Sequence, residues 1–174
     1  MLLAGDVGGT KTALALVEGG AIVERQVFPS ADFPSLEAVV GSFLGERARR
    51  ISRACFGIAG PVVDDTCRVT NLRWVVDARG VERSLGLPRV RLVNDFHALA
   101  EGIPLLPASD LAILNDAPSD PRAPWALIGA GTGLGEAMVV RNGAGYEVIA
   151  SEGGHSDFAA RNELEIELLR FLLK

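Results

Sequence analysis

Four stretches of the chain carry residue types whose spacing could do chemistry. The first is Gly5-Asp6-Val7-Gly8-Gly9-Thr10, set between apolar runs at 1–4 and 12–17. Paired glycines let a backbone approach a ligand closely or take φ > 0. Successive N–H groups of such a turn can converge on phosphate oxygens. Asp6, at the end of the first run, is placed to hold a Mg²⁺ ion or its waters. The second stretch, Gly129-Ala130-Gly131-Thr132-Gly133-Leu134-Gly135, repeats the arrangement and sets the Thr132 hydroxyl among the amides. Two such turns, one in each half, could grip a polyphosphate from both sides.

The other two stretches are polar. Asn94-Asp95 follows the apolar run 89–93, where a strand would present side chains to a cleft. An Asp there could act as a general base, taking a proton from a hydroxyl as it attacks phosphorus. Asn94 could both donate to and accept from a polyol. Glu152 and His155 flank Gly153-Gly154 and put an acceptor and an imidazole on one tight loop. That pairing suits adjacent sugar hydroxyls, and two ligands are too few for a metal site. Asn71 could line a sugar pocket. Trp74 fits either such a pocket or the core, and His97 reads as structural. Plainer alternatives stand beside these readings: an ordinary hairpin turn at 5–10, and a helix cap at Asp95.

Two familiar phosphate motifs fail on spacing. Gly5-x-x-x-x-Thr10-Lys11-Thr12 has Thr where a P-loop requires Gly, and a strand pattern follows it rather than a helix. A dinucleotide fingerprint begun at Gly129 ends on Leu134, and one begun at Gly131 ends on Glu136.

The elements that must position these residues follow from periodicity. The runs 1–4, 12–17, 21–28, 51–59, 89–93 and 125–130 read as strands, and 62–70 reads as a hairpin turning at Asp64-Asp65. A second hairpin over 136–150 turns at Asn142-Gly143. Ser35 caps a helix from Leu36 to about Arg50, Asp77 caps one to Leu85, and 98–103 is helical up to Pro104. A last amphipathic helix starts near Asn162. A short strand is expected at 111–114, between two breaker-rich segments. The boundary between two lobes falls there, giving 1–106 and 107–174.

Composition limits the alternatives. The 174 residues are 48% hydrophobic, so a sizeable core can be buried, and mean hydropathy is +0.26. Twenty-two acidic against 17 basic residues give a formal net charge of -5. With no basic run among aromatics, that argues against a nucleic-acid surface. No stretch approaches transmembrane length and no signal peptide is visible, so the expectation is a cytoplasmic protein without a membrane partner. Cys55 and Cys67 form neither a zinc signature nor a redox pair. Cys55 is expected in the core.

Taken in order, Gly5–Thr10, Gly57-Ile-Ala-Gly-Pro61, Thr70-Asn71 with Trp74, Val93-Asn-Asp-Phe96, Gly129–Gly135 and Glu152-Gly-Gly-His-Ser-Asp-Phe158 resemble the bacterial glucokinase family. The resemblance covers residues 1 to about 160. It implies an α/β chain with the actin-like ATPase (ribonuclease H-like) fold, comprising the N-terminal lobe and the beginning of the second. It implies phosphoryl transfer from MgATP to the 6-hydroxyl of glucose, in glycolysis. By that resemblance Gly5, Asp6, Val7, Gly8, Gly9, Thr10, Gly131, Thr132 and Gly133 would hold the ATP phosphates. Asn94, Asp95, Glu152 and His155 would bind glucose, with Asp95 as the base. Ser156–Arg161 lacks the cysteines of the zinc-binding ROK relatives, which points to the non-ROK branch. Chains of the family are longer, so the expectation is a truncated piece with little or no kinase activity alone, and a homodimer at full length. A non-catalytic sugar- or nucleotide-binding module, or a kinase for another hexose, is the alternative on the same fold.

Overall fold

The computed structural model describes residues 1–174 apart from Ser119, Pro121, Thr132 and Ala144. A five-stranded mixed sheet organises the first part of the chain. Its strands are β1 (Leu2–Val7), β2 (Lys11–Glu18), β3 (Ala21–Pro29), β4 (Arg53–Ile58) and β8 (Val90–Asn94), in the order β3-β2-β1-β4-β8. β1, β2 and β3 pair antiparallel through their tight turns, whereas β1, β4 and β8 run parallel. The parallel arrangement brings the C-terminal ends of β1, β4 and β8 to one edge, where a crevice forms in sheets of this kind.

Alternation decides which face is covered. Leu3 and Val7, Leu14 and Leu16, Phe56 and Ile58, and Leu92 all point to one side and are buried. α1 (Leu36–Leu44) covers that side with Leu36, Val39, Val40, Phe43 and Leu44. Each such side chain contributes roughly 1.5–3 kcal/mol by leaving water. α2 (Ala78–Leu85) adds Ala78 and Val81. Phe28 meets Phe33 and Phe43 edge-to-face, at centroid distances of 5.7 and 6.2 Å. Cys55, expected in the core, lies on the opposite face of β4 and is exposed, because the inward positions are those of Ala54, Phe56 and Ile58.

Other expectations need correction. The helix from Leu36 stops at Leu44 rather than near Arg50, because Gly45 takes φ 51°. Residues 45–50 continue as a 3-10 turn. There Arg47 pairs with Glu24 and lies 5.4 Å over the Phe43 ring. No strand forms at 111–114; Leu111, Ile113 and Leu114 are exposed there. The hairpin at 62–70 is present as β5 (Val62–Val63) and β6 (Thr66–Arg68), with Asp64 and Asp65 both at positive φ. A further strand, β7 (Val75–Asp77), completes its small sheet.

α3 (Asp95–Gly102) follows β8 directly. A second three-stranded antiparallel sheet is made by β9 (Trp125–Ala130), β10 (Leu134–Asn142) and β11 (Gly145–Ser151). α4 (Glu163–Leu172) starts where expected, with Asn162 Oδ1 accepting the Glu165 N–H at 3.0 Å. Its apolar face is uncovered: Leu164 is 76% and Leu172 63% exposed. Among the described residues, no helix is long and apolar enough to cross a membrane.

Candidate functional site

β1 and β2 meet at the turn Gly8-Gly9-Thr10, closed by the Gly8 N–H on Lys11 O at 2.9 Å. Neither glycine takes positive φ. Both are needed for close approach instead. A Cβ on Gly9 would sit 2.7 Å from Thr70 O, and one on Gly8 3.2 Å from Lys11 O. Gly5 and Val7, expected in the phosphate cradle, belong to β1 and to the core. A Cβ on Gly5 would lie 2.4 Å from the Phe56 ring, and Val7 is fully buried. The turn proper is thus Gly8 to Thr10, with Asp6 two residues before it, and of these Gly8 and Gly9 line the cleft described below.

Asp95 is set by the junction of β8 and α3. Asn94 caps the helix: its Oδ1 accepts the N–H of Phe96 at 3.0 Å and of His97 at 3.2 Å. Its Nδ2 donates to Gly60 O at 3.2 Å. Two accepted bonds fill its oxygen, so one N–H remains for a ligand. The cap is therefore Asn94 and not Asp95, whose carboxylate occupies the first helical position. Asp95 Oδ1 accepts the Phe96 N–H at 2.9 Å, a bond that leaves Oδ2 unused. Partial burial raises the Asp95 carboxyl above its ordinary range, and the charges of Asp6 and Glu152 add to the effect while the Phe96 N–H opposes it. Partial burial likewise raises Asp6, with Arg25 opposing. Gly57 lets α3 lie this close to β4, since a Cβ there would meet Ala98 Cβ at 3.1 Å and Asp95 Cα at 3.6 Å.

The second glycine turn reaches the same place through Phe96. Gly129 and Gly135 are partners across β9 and β10. A Cβ on either would strike the Phe96 ring, at 2.7 and 1.9 Å. With both side chains absent, the ring seats on the glycine pair and packs β9 and β10 against the start of α3. In that turn Gly131 N–H donates to Gly133 O at 2.8 Å; Thr132 lies outside the described residues. Glu152 and His155 follow β11 on a 3-10 turn pressed against β10. Cβ atoms on Gly153 and Gly154 would come 2.6 Å from Glu136 Oε2 and 2.0 Å from Leu134 O. His155 Nε2 stands 3.7 Å from Glu152 Oε2, with both side chains more than half exposed.

These parts enclose one cleft of about 440 Å³. Gly8, Gly9 and Asn71 line it together with Gly131, Gly133, Glu152 and His155, and Asn94 and Asp95 line it as well. Asn71 takes φ 63°, and the neighbouring Thr70 N–H is held by Ala59 O at 2.9 Å. Trp74 belongs to the core: it is 5% exposed and its Nε1 donates to Phe33 O at 3.1 Å. His97 is outside the cleft, 3.8 Å from Glu101. Sequence reasoning gave no site role to Gly60, Glu136 or Ser151, which also line it. A carboxylate directly after a glycine turn was the available signal for Glu136.

Asp95, Glu136 and Glu152 line the cleft, and no Lys or Arg does among the described residues. A polyanionic ligand there would need a cation. The donors on offer are hard carboxylate oxygens, which suit Mg²⁺. No cluster of three metal-ligating side chains occurs among the described residues. Asp6 is not among the lining residues, but it lies close enough for its charge to act on Asp95, and Mg²⁺ is commonly held through waters and phosphate oxygens.

The chain is 46% identical over 179 residues to a glucokinase of Nostoc punctiforme, covering 99% of this chain and 52% of that protein. It thus spans about half the length of the curated relatives it matches. A glucokinase crystal structure from an Antarctic psychrotroph superposes with a TM-score of 0.73 at 31% identity, over 97% of this chain and 55% of that one. A Balamuthia mandrillaris glucokinase solved in complex with glucose gives 0.71 at 21% identity, over 98% and 53%. The fold is the actin-like ATPase fold of these sugar kinases. The glucokinase family model matches residues 3–174, and the chain belongs to that family.

Proposed function

We propose that the cleft is the phosphate and sugar portion of an ATP-dependent glucokinase site, of the branch without a structural zinc. Residues 1–106 would form one lobe and 107–174 the start of the second. The observation that carries this reading is the convergence of two glycine turns, distant in sequence, on one cleft that Asp95 also lines. The Gly8–Thr10 turn would bind the triphosphate of MgATP from one side and Gly131–Gly133 from the other. Mg²⁺, when bound, supplies the positive charge that the acidic lining lacks, with Asp6 holding its waters.

Asn71, Glu152, His155 and the remaining Asn94 N–H would orient the hydroxyls of glucose. Asp95 Oδ2 would then accept the proton of the 6-hydroxyl as its oxygen bonds to the γ-phosphorus, while the bond from that phosphorus to the β,γ-bridging oxygen breaks and ADP leaves. A carboxyl raised by burial and neighbouring charge is a better base than an ordinary one, and positioned general bases contribute about 10²–10⁴-fold. Homodimerisation at full length is part of the same proposal.

The chain spans about half the length of its glucokinase relatives. The test therefore joins it to the C-terminal half of the Nostoc punctiforme glucokinase and follows glucose 6-phosphate formation in a coupled assay. Asp95→Asn in that chimera is expected to lower kcat at least about 100-fold with KM for MgATP little changed. Retention of most of the turnover would overturn the assignment of Asp95 as base.

A further inference from the structure

Thr12 and Ser30 are the two fully buried polar side chains among the described residues, each 0% exposed. A hydroxyl in such surroundings costs stability unless it is hydrogen-bonded, so the direction of these bonds matters. Ser30 Oγ donates to Gly8 O at 2.8 Å, and Thr12 Oγ1 stands 2.9 Å from Ser30 Oγ. Since the single Ser30 proton goes to the carbonyl, Thr12 is the donor in the second bond. The Ser30 N–H also donates to Thr10 O at 3.0 Å. One residue, placed just after β3, thus holds the carbonyls on both sides of Gly9.

That arrangement fixes where an amide points. The chain has no cis peptide among its described residues. In a planar trans peptide the C=O and the following N–H point in opposite directions. Drawing the Gly8 carbonyl back onto Ser30 therefore turns the Gly9 N–H the other way. Gly8 and Gly9 line the cleft, and no described residue accepts from the Gly9 N–H.

We propose that Ser30 is a positioning residue for the nucleotide site: its hydroxyl locks the Gly8–Gly9 peptide so that the Gly9 N–H faces a phosphate oxygen in the cleft. The inference rests on the phosphate-binding reading above. Ser30 touches no ligand and acts through the peptide it holds. Thr12 supports Ser30 but bonds no turn carbonyl. The two hydroxyls therefore share one buried network but differ in consequence.

The test compares Ser30→Ala with Thr12→Val in the 174-residue chain. Binding of inorganic tripolyphosphate with Mg²⁺, and separately of glucose, is measured by calorimetry, and thermal melting checks folding. Both variants lose a buried hydrogen bond, so both are expected to melt lower than wild type. Ser30→Ala is expected to weaken tripolyphosphate binding about tenfold, in keeping with one hydrogen bond to a charged group. Thr12→Val is expected to stay within about threefold of wild type, and glucose binding to remain unchanged in both. Equal weakening in the two variants, or none in Ser30→Ala, would overturn the role given to Ser30 while leaving the phosphate site standing. Wild-type chain that binds no tripolyphosphate would overturn the phosphate-binding reading and this inference with it.

Discussion

Replacing Gly135 with alanine drives a methyl group into the ring of Phe96. The new Cβ would lie 1.9 Å from Phe96 Cε2, 2.3 Å from Cζ and 2.5 Å from Cδ2. Ordinary contact begins at 3.4 Å, so the ring must retreat by about 1.5 Å. The Phe96 backbone cannot follow, because its N–H is held at the first turn of α3 by the Asn94 and Asp95 side chains, so the ring must move by its own torsions. Overpacking of this kind costs about 1–3 kcal/mol. For a chain of this length that corresponds to a melting temperature lower by roughly 4–8 °C near the middle of the range. The three nearest atoms to the added methyl all belong to Phe96. The penalty should therefore largely vanish when Phe96→Ala is made first. Thermal melts of wild type, both single variants and the double variant close the cycle, and the coupling between the sites should equal most of the Gly135→Ala cost. The reasoning is refuted if Gly135→Ala melts within about 1 °C of wild type, or if it costs the same in both Phe96 backgrounds.

Two further perturbations address the base and its support. Asn94→Asp keeps the two N–H bonds accepted at the α3 cap but sets an oxygen against Gly60 O in place of the Nδ2 donor; denaturant unfolding should show a loss of about 1–3 kcal/mol, and an unchanged midpoint would contradict the tether. Asp95, raised by partial burial and then by Asp6 and Glu152, holds its proton more tightly in the folded than in the unfolded chain. Between its ordinary value of 3.8 and the raised one, stability must therefore fall as pH rises, because the folded state binds more protons there. Asp95→Asn should raise the melting temperature at neutral pH, with the gain fading as pH falls to 3.8; a gain independent of pH would show that charge is not its source.

Much of this was legible in the sequence because local signals and tertiary demands agreed. Ser35 and Asp77 read as helix caps and are caps, and the last helix starts beside Asn162, where apolar spacing places it. The tight turn at Asp64-Asp65 and the hairpin over 136–150 were likewise readable from turn chemistry and alternation, though its first strand starts two residues earlier, at Leu134. The failures have physical causes. Gly45 interrupts a helix whose apolar spacing ends just before it, and Leu111 to Leu114 resemble a strand but find no neighbour to pair with among the described residues. Gly5 and Gly8 look alike in a glycine-rich run, yet one makes room for Phe56 inside the sheet and the other lines the cleft. That distinction depends on a cross-strand partner 51 positions away in the β1–β4 register, Gly5 against Phe56. The cap at Asn94, which frees Asp95 Oδ2, is a choice between adjacent residues that both favour helix starts. The buried Ser30–Thr12 pair carries no motif at all, since both residues are common at strand ends.

The most direct test of the central claim is residue-by-residue mapping of ligand contacts by NMR on the 18.3 kDa chain. Titration with Mg²⁺ and tripolyphosphate should shift the amides of Gly8, Gly9, Gly131 and Gly133, and titration with glucose those of Asn94, Asp95, Glu152 and His155. Shifts from both ligands that fall elsewhere, or tripolyphosphate shifts confined to one of the two glycine turns, would contradict the account.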